Sequence, residues 1–247
     1  MGAIGLVALA KNAVKTAAKF QDLRTSLSSV TGSAKEGAEA FEFVKDFATK
    51  TQFSVEDLTK SYIKLKASGI EPTIDLLTTF TDTAAITTDQ VGSLEAVTDL
   101  YARTVSGGLG LEEIQRLGDR GVPILRILEQ ELNLTRAQIS EFGKTAEGAK
   151  KIVEAFGRGI KKEFGGATAA LLGNMSVQFS NLGIAADNAG DTFGMAMAPA
   201  IGEVVEGLTE FIQNNEELIK SLGEGLGNAM LIVKNNIDLL IAGFAGL

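Results

Sequence analysis

The sequence predicts an all-α protein, a compact multi-helix domain followed by long heptad-like helices. Three observations carry this expectation. Alanine, leucine, lysine and glutamate are plentiful while only three prolines occur in 247 residues, a composition that favours helix over strand. Apolar residues recur at steps of three and four along most of the chain. Helix-start signals stand at the head of several of these periodic stretches, and glycines stand where many of them stop.

Residues 3 to 30 form the first expected helix, with Ile4, Val7, Val14, Ala18, Leu23, Leu27 and Val30 in imperfect helical spacing and a stop at Thr31 and Gly32. Ala34 to Thr49 follows, placing Phe41, Val44, Phe47 and Ala48 on one face. Ser54 with Asp57 is a capping-box-like start, the hydroxyl accepting an early amide while the acid sits in the positive first turn. Val55, Leu58, Tyr62 and Leu65 repeat from there, and Gly69 supplies the left-handed stop. Pro72 opens a helix whose inward residues are Ile74, Leu77, Phe80 and Ala84. Asp89 to Val105 offers Val91, Leu94, Val97, Tyr101 and Val105.

The stretch from Tyr101 to Thr145 is the most tightly specified backbone in the chain. Gly107, Gly108 and Gly110 make a turn, and Leu111, Ile114 and Leu117 give a short apolar face. Pro123 suits a first helical turn, where a missing amide costs nothing, ahead of Ile124, Leu125, Ile127, Leu128 and Leu132. Thr135 with Gln138 is a second capping box, and Gly143 ends the helix carrying Ile139 and Phe142. From Ala146 to Phe164 the inward residues are Val153, Phe156, Ile160 and Phe164, and Gly165 and Gly166 end it.

A domain boundary is expected there, dividing residues 1–165 from an elongated region, 166–247. Leu172, Met175, Phe179, Leu182, Ala186, Ala189, Phe193 and Ala196 alternate steps of three and four in a heptad-like row. A ladder of small residues, Ala186, Gly190, Gly194, Ala198 and Gly202, permits close approach of helix backbones. Pro199 kinks or restarts the helix. Leu172, Met175, Phe179, Leu182, Ala186, Gly190, Phe193 and Gly194 are therefore the expected helix-packing and assembly residues.

Composition excludes much chemistry. Lys and Arg number 23 against 31 Asp and Glu, a net charge of −8, so direct nucleic-acid binding is not expected. The basic group Lys150, Lys151, Arg158, Lys161 and Lys162 reads as the solvated face of an amphipathic helix. Cysteine and histidine are absent, which removes thiolate sites and the commonest metal ligand and general base; no metal, cofactor or catalytic residue is assigned. Gly107 to Gly110 lacks the following Lys-Ser or Lys-Thr of a phosphate cradle. Asp187, Asn188, Gly190 and Asp191 lack the ligand spacing of a calcium loop. Glu112 and Glu113 diverge around a helix and read as first-turn dipole partners, not as an acid–base pair. Ser61 with Lys64 fits a Ser-x-x-Lys spacing but lies inside an ordinary amphipathic helix. Apolar residues run into both ends of the chain without a signal-peptide pattern, and Leu239 to Leu247 is far too short to span a bilayer. The chain thus reads as part of something longer.

The order of motifs resembles the N-terminal region of phage and prophage tail tape measure proteins. The resemblance begins at FQDLRTSLSSVTGS, Phe20 to Ser33, and runs through FATKTQFSVEDLTKSYIKL, Phe47 to Leu65. It is strongest across Tyr101 to Thr145, where a Ser-Gly-Gly turn, LEEIQRLGDRG, the Val-Pro helix and ELNLTRAQISEFGKT follow one another, and it extends to FSNLGIAADNAG, Phe179 to Gly190. One departure is Gly108-Leu109-Gly110, a less polar turn than the family pattern has before its Glu-Glu helix. The resemblance implies a non-enzymatic, helical structural protein that templates tail-tube length during virion assembly and is released during DNA delivery. The implied partners are other tape measure copies, the tail tube protein, tail assembly chaperones, tail-tip and baseplate proteins, and the host inner membrane during DNA delivery. Its implied locations are the virion tail and, during assembly, the host bacterial cytoplasm. A membrane-active helical pore or channel-like protein is the alternative that the apolar ends and small-residue ladder suggest.

Overall fold

The computed structural model describes residues 3–105, 107–173, 187–189, 191, 192 and 195, with side chains described from residue 15 onward. Among the described residues there is no strand; the helices are α1 Ala3–Thr31, α2 Ala34–Ala48, α3 Val55–Ala67, α4 Ile74–Ala85, α5 Gln90–Val105, α6 Leu111–Asp119, α7 Ile124–Leu132, α8 Arg136–Gly143, α9 Ala146–Phe164 and α10 Ala167–Leu172, and residues 187–189, 191, 192 and 195 are helical as well. The chain divides into two compact units, 1–194 and 195–247. The sequence boundary at Gly165 falls at the end of α9, whereas the first unit runs on through Gly194.

The expected starts and stops are built as local chemistry requires. Ser54 accepts the Asp57 amide while the Asp57 carboxylate accepts the Ser54 amide, and Thr135 and Gln138 do the same for α8. Ser33, Thr73 and Thr145 each accept an amide three residues on, capping α2, α4 and α9. Gly32 and Gly69 take left-handed φ values of 92° and 77° after α1 and α3, where a side chain would be strained. Asn133, at φ 52°, ends α7 in the same way. Pro123 stands one residue before α7, as its N-cap.

Packing is pairwise between neighbours. α1 lies on α2 and α3, α4 on α5, and α9 against α4, α5, α7 and α8. The centre is Phe80 of α4, edge-on to Tyr101 of α5 at 4.7 Å between ring centroids. Tyr101 donates its hydroxyl to the Val153 carbonyl of α9 at 2.8 Å, so a buried phenol finds the partner it needs. Burial pushes the Tyr101 phenol well above its ordinary range and keeps it the donor.

Three residues expected to face inward do not. Ile74, Val91 and Val105 are exposed. Ile74 is the first residue of α4, Val91 the second of α5 and Val105 its last. Helical spacing puts them on the right stripe, but at the helix ends no neighbouring element covers that stripe. Among the described residues no helix is long and apolar enough to cross a membrane, and the membrane-active alternative draws no support from them.

Candidate assembly surface

Of the eight residues expected to pack helices during assembly, Leu172 alone is described with its side chain, and it is partly buried in α10. Met175, Phe179, Leu182, Ala186, Gly190, Phe193 and Gly194 lie outside the described residues. The geometry available bears instead on how Tyr101 to Thr145 is closed and how residues 166–173 and Asp191 are fastened.

The stretch from Tyr101 to Thr145 is clasped across its own length. The Leu109 amide donates to the Gly143 carbonyl at 2.7 Å. A Cβ on Gly143 would stand 2.5 Å from the Leu109 carbonyl oxygen, and one on Gly108, at φ 152°, 3.1 Å from that of Lys144. Backbone meets backbone here, which only glycine allows. Leu109 is 1% exposed, so the apolar turn that departs from the family pattern supplies a core side chain. At the start of α6, the Glu113 carboxylate accepts the Gly110 amide at 3.0 Å and pairs with Arg103 at 3.1 Å. That occupies one acid of the Glu112–Glu113 pair in capping.

The other candidate groups are likewise engaged. Ser61 is buried and accepts the Thr98 hydroxyl at 3.1 Å, while Lys64 pairs with Asp99. On α9, Lys151 meets Glu147 at 2.7 Å, Lys161 meets Asp75 at 2.6 Å, and Arg158 and Lys162 meet Glu131 at 3.5 and 3.7 Å. The basic face is thus laced with acids from α4, α7 and its own first turn. No group of three or more acids occurs among the described residues in an arrangement that could hold a metal.

Downstream of α9, two buried carboxylates fasten the chain. Asp82 of α4, 3% exposed, accepts the Gly166 amide at 3.0 Å and the Thr168 amide at 2.8 Å. Gly166 has no side chain to cap α10, and Asp82 fills that role from another helix, an anion at the amide-rich end of a helix. Asp191, 2% exposed, accepts from Arg24 of α1 at 3.0 and 3.4 Å and lies 3.6 Å from Lys45 of α2. Sequence reading missed both roles, and weighed Asp191 only as part of a calcium-loop pattern that it rejected. Asp82 could have been suspected as the acid set among Thr79, Thr81 and Thr83, in a turn of α4 that is buried on every side. Arg24 and Asp191 are 167 residues apart and give no local signal.

Fold and contacts together define an all-α packing domain whose polar side chains cap helices and join them. It belongs to the tape measure protein family: the family model described as "Tape measure protein" matches residues 11–194, which makes this a phage tail protein. The chain is also 28% identical over 187 residues to the Mu-like prophage FluMu protein gp42 of Haemophilus influenzae (strain ATCC 51907 / DSM 11121 / KW20 / Rd). That alignment covers 73% of this chain and 29% of the relative, so the chain spans under a third of that protein's length. No solved structure matches it.

Proposed function

We propose that this chain is the N-terminal part of a non-enzymatic tape measure protein that templates tail-tube length during virion assembly and is released during DNA delivery. The observation that carries the reading is the family match over residues 11–194. The size of the helices then assigns the parts. At about 1.5 Å per residue the longest described helix, α1 with 29 residues, reaches only about 44 Å. The domain of α1 to α9 is therefore a folded head, and length is measured by helical sequence downstream of it. Leu172, Met175, Phe179, Leu182, Ala186, Gly190, Phe193 and Gly194 would supply the contacts between helices of neighbouring tape measure copies. The tube subunit, the tail assembly chaperones and the tail-tip or baseplate proteins meet the protein in the host cytoplasm as the tail forms, and the host inner membrane meets it on delivery.

The test uses the natural full-length reading frame. In-frame deletions in helical sequence downstream of this chain should shorten tails, seen by electron microscopy, by about 1.5 Å per residue removed. Tails of unchanged length would end the templating reading. Changing Phe179 and Phe193 together to Asp should reduce the number of complete tails, and normal tails from that variant would remove the contact role from both residues.

A further inference from the structure

The chain has two tyrosines, and they end differently. Tyr101 donates its hydroxyl inside the core, whereas the hydroxyl of Tyr62 in α3 is neither sealed from solvent nor hydrogen-bonded to any described residue. The rest of Tyr62 is held firmly. It is 7% exposed and edge-on to Phe43 of α2, with 6.0 Å between ring centroids. A phenol this deeply buried ordinarily finds a polar partner.

Tyr62 and Phe43 line a cavity of about 270 Å³ whose wall also carries Glu36, Glu39, Lys66 and Glu71. Sites for drug-sized ligands hold about 300–1,000 Å³, so what fits here is smaller. Three carboxylates stand against one ammonium, and that ammonium is taken: Lys66 meets Glu71 at 2.6 Å. Glu36 pairs with no cation among the described residues. Glu39 meets only Lys35, at 3.9 Å between exposed side chains, a contact of little strength. Burial pushes the Tyr62 phenol up, and the negative charge of Glu71 and Glu36 adds to it while Lys66 opposes it, so the acids act on the phenol and it stays protonated. Aromatic rings beside surplus negative charge attract an organic cation.

We propose that this cavity binds a primary alkylammonium group, with its N–H donors on the Glu36 and Glu39 carboxylates and the Tyr62 oxygen and its methylenes against Phe43. An ammonium has three such donors to give, and an anion would find only one engaged cation. Free diamines and the lysine side chains of another protein both present the group. The site stands whether or not the protein measures tail length.

Fluorine NMR of the 247-residue chain carrying fluorotyrosine tests it, because two tyrosines give two signals and Tyr62→Phe assigns them. Putrescine and Nα-acetyl-lysine methylamide are each titrated, with butanol as the uncharged control. The Tyr62 signal should shift saturably with a Kd of about 1 mM, while the Tyr101 signal stays in place. Glu36→Gln combined with Glu39→Gln should weaken binding about tenfold or more, with an unmoved Tyr101 signal showing that the fold is intact. Saturation by both amines assigns the site to side chains as well as free amines, and saturation by one alone assigns it to that source. No saturable shift with either amine, an equal response to butanol, or undiminished binding by the glutamine pair overturns the proposal.

Discussion

The centre of the α4–α5–α9 packing and the anchoring of Gly166, Thr168 and Asp191 use opposite means. In the first, Phe80, Tyr101, Phe156 and Ile160 are buried together and one hydroxyl is satisfied by one carbonyl. In the second, Asp82 and Asp191 do the fastening, by hydrogen bonds and ion pairs that reach 84 to 167 residues along the chain. Apolar burial is roughly proportional to area and has no preferred direction. Losing part of it weakens everything that shares the core. A buried carboxylate holds its few partners in one geometry, and its loss falls first on them. The α4–α5–α9 centre is therefore held by shared burial, and Gly166, Thr168 and Asp191 by a few directed contacts.

The strongest way to break this contrast is Phe80→Ala. Phe80 is fully buried and edge-on to Tyr101, so truncation leaves a cavity and should cost about 3–5 kcal/mol. Urea unfolding followed by circular dichroism should show the whole helical signal moving to lower denaturant. A loss confined to part of the signal would mean that α4, α5 and α9 are not one cooperative core.

Asp82→Ala comes next and should act locally. It strips the Gly166 and Thr168 amides of their acceptor, a loss of about 1–3 kcal/mol. The cost should appear as faster exchange in 166–173, with the urea midpoint of the remaining helices little changed. A fall in global stability matching that of Phe80→Ala would erase the distinction between the two regions.

How far each region was legible in the sequence follows the same division. Caps are exchanges between residues three apart, so Ser54 with Asp57 and Thr135 with Gln138 could be read directly and are present as read. The middle of each apolar stripe was also legible: Leu58, Leu65, Leu77, Phe80, Val97, Ile127, Phe156 and Ile160 are all buried. Helix ends were not, because periodicity says which stripe Ile74, Val91 and Val105 lie on but not whether another element reaches that far. Asn133 ends α7 at positive φ, a role that spacing assigns more readily to glycine. The aspartates were least legible of all. Their partners are backbone amides and cations on distant elements, and nothing near Asp82 or Asp191 in the chain specifies them. The expected assembly row from Met175 to Gly194 rests on its pattern and family resemblance.

An exposed ion pair supplies the mildest test, because it shows what charge contributes without burial. Glu56 of α3 sits between Lys19 of α1 at 2.5 Å and Lys60 at 2.6 Å. The Lys19 hydrogen bond, then that of Lys60, holds the Glu56 carboxyl at about 2, below its ordinary 4.5. A carboxyl whose folded pKa lies below its unfolded value adds stability above the unfolded value, and that stability is lost as pH falls from 4.5 towards about 2. Solvent reaches this group, with Glu56 31% exposed and Lys19 52%, so the contribution should be below about 1 kcal/mol and weaker in high salt. Urea midpoints of wild type and Glu56→Gln at pH 7 and pH 3 should differ more at pH 7, and 1 M NaCl should narrow that gap by screening at about 3 Å. Asp191, 2% exposed and paired with Arg24 and Lys45, is shielded from water, and 187–192 should keep most of its protection against exchange at the same salt. Equal salt sensitivity at the two sites would show that burial gives Asp191 no advantage over an ordinary surface pair.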